Sequence, residues 1–167
     1  MYECAACGFS FDLTDAESVG PLIVKRAQSV VLALRSTPAA MVRTRPDATT
    51  WSSLEYGCHL RDVLLVQRER VLLVRRTDRP TPEPMGRDER VEHDGYEAQD
   101  PEDVARQLED AAALFANVLA RLDPEEWERV LVYTYPEVAD RSLRWVAVHT
   151  LHELVHHGAD IDAQLLR

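Results

Sequence analysis

Apolar residues recur at the helical period in four separate stretches of this chain, and no other feature of the sequence restricts the fold as much. The first stretch covers residues 19–34, with Ile23, Ala27, Val30, Val31 and Leu34 on one face. Pro21 falls in its opening turn, where a missing N–H is tolerated, and Thr37 and Pro38 end it. The second starts at Ser52 or Ser53, where Ser52 followed by Glu55 has the form of a capping box, and continues through Val63, Val66 and Val71 to residue 75. Asp100, Pro101, Glu102 and Asp103 supply an N-cap, a proline at the first position and an acidic first turn. Val104, Leu108, Ala111, Ala112, Phe115, Val118 and Leu119 then mark a third apolar face through residue 122. Asp123-Pro124-Glu125-Glu126-Trp127 opens a short turn of helix by the same logic, and the last stretch runs from Ser142 to the C-terminus. Residues 41–50 and 77–100 show no period, and the second of these carries Pro80, Pro82 and Pro84. Residues 130–135 could be extended, but a single strand cannot build a sheet. The expected fold is all-α: a four-helix bundle over residues 17–167, preceded by an N-terminal Cys-x-x-Cys extension over residues 1–16.

With 167 residues, 46% of them hydrophobic and 29% charged, the chain can bury one sizeable core. No apolar run approaches the roughly 20 residues that span a bilayer, so no membrane partner is expected. The N-terminus lacks a basic region followed by an apolar one, which makes a cytoplasmic location the expectation. A net charge of −10, from 29 acidic and 19 basic side chains, repels a phosphate backbone and argues against nucleic acid as a partner. The local basic run of Arg68, Arg70, Arg75 and Arg76 fits a solvated helix face. The expected partner is a small-molecule substrate, and a homodimer would use the exposed bundle faces that commonly pair.

The last helical stretch contains His149, His152, His156 and His157. At about 100° per residue, His152 and His156 point within roughly 40° of each other. Val148, Val155 and Ala159 share that direction, so this face is expected to look into the bundle, with His149 on its flank as an outer partner. Two imidazoles on a core-facing stripe leave polar nitrogens to satisfy, and a metal satisfies both. Satisfied core histidines or a His-rich surface are the plainer alternatives. His59 lies midway along the second helix, where Gly57 suggests close packing and Glu55 or Asp62 could accept a hydrogen bond from the ring.

The combination resembles the DinB/YfiT-like superfamily of metal-binding four-helix bundles, from residue 19 to the end. The resemblance rests on Trp51-Ser52 followed by His59-Leu60-Arg61-Asp62, and on the His-x-x-x-His pair of His152 and His156. It implies that one histidine of the second helix and two of the last hold zinc or nickel, with positions left open for water or substrate. The implied ligands are His59, His152 and His156. Several members of the family are thiol S-transferases or isomerases that use mycothiol, bacillithiol or glutathione. The implied activity is therefore thiol transfer or activation, in which a divalent metal lowers the pKa of a bound thiol. A non-catalytic metal-binding bundle with a stress-related role is the alternative.

His152-Glu153-Leu154-Val155-His156 also fits the H-E-x-x-H pattern of zinc hydrolases. Only Asp160 and Asp162 follow as candidates for the further ligand, and no sheet is expected to bind a peptide. Cys4-Ala5-Ala6-Cys7-Gly8 has the shape of a zinc knuckle, in which glycine permits the tight turn. Its remaining ligands would come from residues such as Cys58, His93 or an acid. A redox dithiol and a flexible tail with free thiols are the other options, while three cysteines fit a disulfide framework poorly. His93 and Tyr96, in the long connection between the second and third helices, are candidates for a lid.

Overall fold

Ser52 and Asp100 cap two of the four long helices in the computed structural model, which describes residues 2–135 and 137–165. The long helices are α1 (Val19–Ser36), α3 (Ser53–Arg76), α5 (Pro101–Leu119) and α7 (Leu143–Leu165). Three short ones lie between them: α2 (Ala39–Val42), α4 (Arg87–Glu92) and α6 (Pro124–Trp127). The Ser52 hydroxyl accepts from the Glu55 N–H at 3.2 Å, and the Glu55 carboxylate accepts from the Ser52 N–H at 2.8 Å. At the next start the Asp100 carboxylate accepts from the N–H groups of Glu102 and Asp103. Each cap satisfies donors that the first helical turn cannot pair itself. Ser52→Ala is expected to lower the free energy of unfolding by about 1 kcal/mol, read as a shifted urea midpoint at unchanged slope.

Close contacts fix the helix directions. Gly20 faces Ala116 and Arg35 pairs with Glu102, so α1 and α5 are antiparallel. Ser53 hydrogen-bonds Gln164 at the far end of α7, so α3 and α7 are antiparallel too. Gly57 faces Val104 and Arg61 donates to Gln107, which makes α3 and α5 parallel. Helices α1 and α3 each pack on both α5 and α7, so the first two long helices lie on a diagonal of the bundle. A Cβ at Gly57 would stand 2.9 Å from Leu34 Cδ1, which explains the one glycine inside α3.

Parallel α3 and α5 require the chain to return along the whole of α3, about 36 Å at 1.5 Å per residue. That distance accounts for the long connection over residues 77–100. It is pinned as it goes: Arg70 donates to the Glu83 carbonyl at 3.2 Å, Arg90 to Asp62 at 3.2 Å, and the Tyr96 hydroxyl to Asp62 at 2.6 Å. Tyr96, considered above for a lid, is fully buried and anchors the connection to α3. His93 follows α4 and is exposed.

The segment expected to be a lone extended stretch finds a partner. Strand β1 (Val130–Tyr133) pairs antiparallel with β2 (Ala139–Ser142), Val130 opposite Ser142 and Tyr133 opposite Ala139. Ala-Asp-Arg-Ser has little intrinsic preference for a strand, so only its neighbour reveals it. Leu131 and Tyr133 turn inward, and Tyr133 meets Trp145 of α7 edge-on, with ring centroids 4.8 Å apart. Residues 39–42, at the edge of another stretch without period, form the single turn α2. The last helix is described to Leu165, and residues 166 and 167 lie outside the described residues. Among the described residues no helix is long and apolar enough to cross a membrane.

Candidate metal centre

Leu143, Ala147, Thr150, Leu151, Leu154 and Ile161 are the buried stripe that α7 turns toward the bundle. Measured from Leu154 at about 100° per residue, Glu153 and His157 sit roughly 100° and 60° away on one shoulder. His152 and His156 sit roughly 160° away, on the back of the helix. The back is not left to solvent. The N-terminal segment folds over it, with Phe9 and Phe11 packed on His152 at centroid distances of 5.3 and 4.9 Å. One helix thus presents two sets of donors to two different neighbours.

On the shoulder, His59 of α3 meets Glu153 and His157 of α7. His59 Nε2 lies 3.5 Å from Glu153 Oε2, and His157 Nε2 lies 3.7 Å from the same oxygen. The donor atoms of the three residues lie within 4.8 Å of one another. Bonds of about 2.1 Å at a tetrahedral angle separate two donors by about 3.4 Å, so the observed spacing is close to that of a ligand set. Asp160 accepts a hydrogen bond from His157 Nδ1 at 2.9 Å, which turns the Nε2 lone pair toward Glu153. Trp51 and Tyr56 pack on His59 and His157, with centroids 5.3 and 5.0 Å away.

Glu153 is an anion among four imidazoles, since its other oxygen is 3.6 Å from His152 Nδ1 and 3.9 Å from His149 Nε2. Burial pushes its carboxyl up, but contact with His152 and His59 and the nearby His149 and His157 outweigh that, holding it well below the usual carboxylate range. Burial drives His149 down to about 4, so it is neutral at physiological pH, stacked on Trp145 at 4.4 Å.

On the back of α7, Cys4, Cys7, His152 and His156 form a second group whose donor atoms also lie within 4.8 Å of one another. Cys4 Sγ is 3.9 Å from His156 Nδ1. The backbone N–H groups of Cys7 and Ala6, then His152, pull the Cys4 thiol down to about 6. Neither cysteine is in a disulfide.

A family model of the DinB superfamily matches residues 23–161 of this chain. The chain belongs to the DinB superfamily. A solved structure with a TM-score of 0.76 covers 98% of this chain and 93% of its own, at 13% identity. It is that of YfiT from Bacillus subtilis, described as a probable metal-dependent hydrolase with an unusual four-helix bundle topology. At that identity the likeness shows a shared fold. None of the curated proteins matches the chain.

Within this DinB bundle the three histidines implied by the resemblance are divided. His59 converges with Glu153 and His157, whereas His152 and His156 converge with the two cysteines. The face bearing Val148, Val155 and Ala159 is only partly turned inward: Val148 is buried, but Val155 is half-buried and Ala159 exposed. Leu151, Leu154 and Ile161, three and seven residues apart, are the signal in the sequence that points to the true inner face and so to Glu153 and His157. The H-E-x-x-H motif does not converge on one point: its two histidines meet the cysteines, while its glutamate lies beside His149 and His152 with one oxygen and faces His59 and His157 with the other.

Neither acid considered as a partner for His59 reaches it. Glu55 completes the helix cap and pairs with Arg45, while Asp62 binds Arg61, Arg90 and Tyr96. His59 Nδ1 is buried with no partner. Cys58 is buried against the Tyr96 carbonyl and Gln99, apart from the other cysteines, and burial raises its thiol to about 12.

Proposed function

We propose that this chain is a metal-dependent enzyme of the DinB superfamily, that His59, Glu153 and His157 hold its ion, and that its substrate is a low-molecular-weight thiol. The observation that carries the proposal is the convergence of His59 Nε2 and His157 Nε2 on one oxygen of Glu153, at 3.5 and 3.7 Å. Two imidazoles and one carboxylate are a donor set that catalytic zinc uses, and three protein ligands leave a position for substrate. Zinc or nickel is the proposed ion. An ion bound there lowers the pKa of a coordinated thiol or water and so supplies a nucleophile at neutral pH.

The chain's own residues prepare the place. Asp160 fixes the tautomer of His157, and Glu153 stays anionic across the physiological range. The rings of Trp51 and Tyr56 form apolar walls beside the histidines and limit access of bulk water. In thiol transfer the thiolate sulfur forms a bond to an electrophilic carbon and the leaving group departs with the bonding pair. The family resemblance supports a thiol such as mycothiol or bacillithiol. Hydrolysis is the second reading, supported by the fold shared with YfiT and its description as a probable metal-dependent hydrolase.

Zinc- and nickel-loaded protein, assayed with each thiol and chlorodinitrobenzene and separately with p-nitrophenyl acetate without thiol, tests the proposal. Metal- and thiol-dependent consumption of the electrophile, lost in His157→Ala, is the expected result. Ester hydrolysis without thiol, equally sensitive to His157→Ala, would replace it with the second reading. Equal metal content by elemental analysis in wild type and His59→Ala would overturn both.

A further inference from the structure

We propose that Cys4, Cys7, His152 and His156 form a second and separate metal site, a closed tetrahedral zinc centre that clamps the N-terminal segment onto the back of α7. Its four donor atoms already lie within 4.8 Å of one another. Zinc–sulfur and zinc–nitrogen bonds of about 2.3 and 2.0 Å at a tetrahedral angle would separate a sulfur from a nitrogen donor by about 3.5 Å. The 3.9 Å between Cys4 Sγ and His156 Nδ1 is close to that value. Two thiolates and two imidazoles fill a tetrahedral shell with protein ligands, the arrangement of structural zinc. The His59 group, with three donors, leaves a position open, so the two sites differ in kind.

Three further observations point to an ion here. The cysteine turn is built as a knuckle: the Gly8 N–H donates to the Cys4 carbonyl at 2.8 Å, the Cys4 N–H donates to the Phe9 carbonyl at 2.9 Å, and Gly8 takes φ +71. His152 Nε2 is buried without a hydrogen-bond partner, an arrangement that native proteins rarely leave uncompensated. Of residues 2–15, Phe11 is buried, and Cys4, Phe9 and Leu13 are half-buried against the core, so the cysteine turn already rests on α7 beside the two histidines. A bound ion would add a polar tie to that apolar contact.

The two sites share carboxylates. Glu153 Oε1 lies 3.6 Å from His152 Nδ1, which leaves His152 Nε2 for zinc, while Glu153 Oε2 faces His59 and His157. Asp160 Oδ2 lies 4.0 Å from His156 Nε2 and 2.9 Å from His157 Nδ1. Each histidine of the zinc centre thus has a carboxylate near its outer nitrogen, at 3.6 and 4.0 Å, that also faces the open site. Outer partners of this kind alter metal affinity by about 10–100-fold. Filling the closed centre orients Glu153 and Asp160, and its loss weakens the open site by a factor in that range.

The test uses the full-length chain loaded with zinc or cobalt(II). Two ions per chain are expected, together with a thiolate-to-cobalt charge-transfer absorption that a site of two imidazoles and a carboxylate cannot give. Cys4→Ser/Cys7→Ser should lose that absorption and one ion, whereas His59→Ala and Cys58→Ser should keep the absorption. A second measurement needs no variant: zinc should shield Cys4 and Cys7 from iodoacetamide, and a chelator should expose them, as mapped by peptide mass. Absence of the absorption, equal alkylation with and without zinc, or recovery of Cys4 and Cys7 as a disulfide would overturn the site. Unchanged zinc affinity at His59 in Cys4→Ser/Cys7→Ser would overturn the coupling, and this outcome is distinct from failure of the His59 site itself.

Discussion

The Glu153→Gln variant is expected to lose metal affinity at the His59 site by at least about 100-fold, more than the loss of an outer partner alone would cause. The substitution keeps the volume of the side chain and removes its charge. Glu153 lies among His59, His149, His152 and His157 and contributes the one anionic donor of its group. An amide oxygen can still face His59 and His157, but it neutralises no charge on the ion. It also presents an N–H₂ group to one of the two sets of imidazoles that now share the carboxylate. Competition against a chelator of known affinity measures the effect, and an unchanged dissociation constant would remove Glu153 from the ligand set. Catalysis at limiting metal should fall in parallel, while circular dichroism should show the helical content retained.

Asp62→Ala is expected to destabilise the fold by about 3–5 kcal/mol, the usual result of removing one partner from a buried ion pair. Asp62 is 3% exposed and accepts from Arg61 Nε at 2.8 Å, from the Tyr96 hydroxyl at 2.6 Å and from Arg90 at 3.2 Å. Its removal strands the buried Arg61 guanidinium, which keeps only the side-chain oxygens of Gln99 and Gln107 and a 3.7 Å approach to the exposed Asp94. It also frees the Tyr96 anchor of the long connection. For a chain of this size the loss corresponds to a melting temperature lower by about 6–20 °C. Burial pushes the Asp62 carboxyl up, but Arg61, Tyr96 and Arg90 more than offset that, so it titrates below its ordinary value when folded. Its contribution is therefore complete above about pH 4 and disappears as the pH falls through the depressed folded value. The gap in stability between wild type and variant should close in acid. Asp62 does not touch His59, so the folded variant should bind metal at that site with unchanged affinity, and a large drop would restore Asp62 as a partner of His59.

Much of the bundle was legible because its signals are local. Caps at Ser52, Asp100 and Asp123, prolines at first helical positions and a clean apolar stripe on α5 depend only on neighbours in sequence. The hairpin was half legible: β1 has strand-forming residues, whereas β2 reads Ala-Asp-Arg-Ser and is a strand because β1 lies beside it. The inner face of α7 was ambiguous for a related reason. Apolar residues occur nearly all the way round this helix, and a helix of that kind is buried on more than one side. Val148 and Val155 favoured one face, and Leu151, Leu154 and Ile161 another roughly 100° round the helix.

The sequence by itself determined four helices, the Cys-x-x-Cys turn and a set of histidines of metal-ligand type, because helical period, capping and ligand type are properties of short segments. Which donors meet was decided only by the tertiary structure. His59 reaches Glu153 and His157 because α3 and α7 run antiparallel with those residues at the same height. His152 and His156 instead meet Cys4 and Cys7, about 150 residues away in the chain, because the N-terminal segment crosses the back of α7. A rotation of roughly 100° about one helix axis, a single residue, separates the two assignments, and packing against neighbours distant in sequence is what sets that angle.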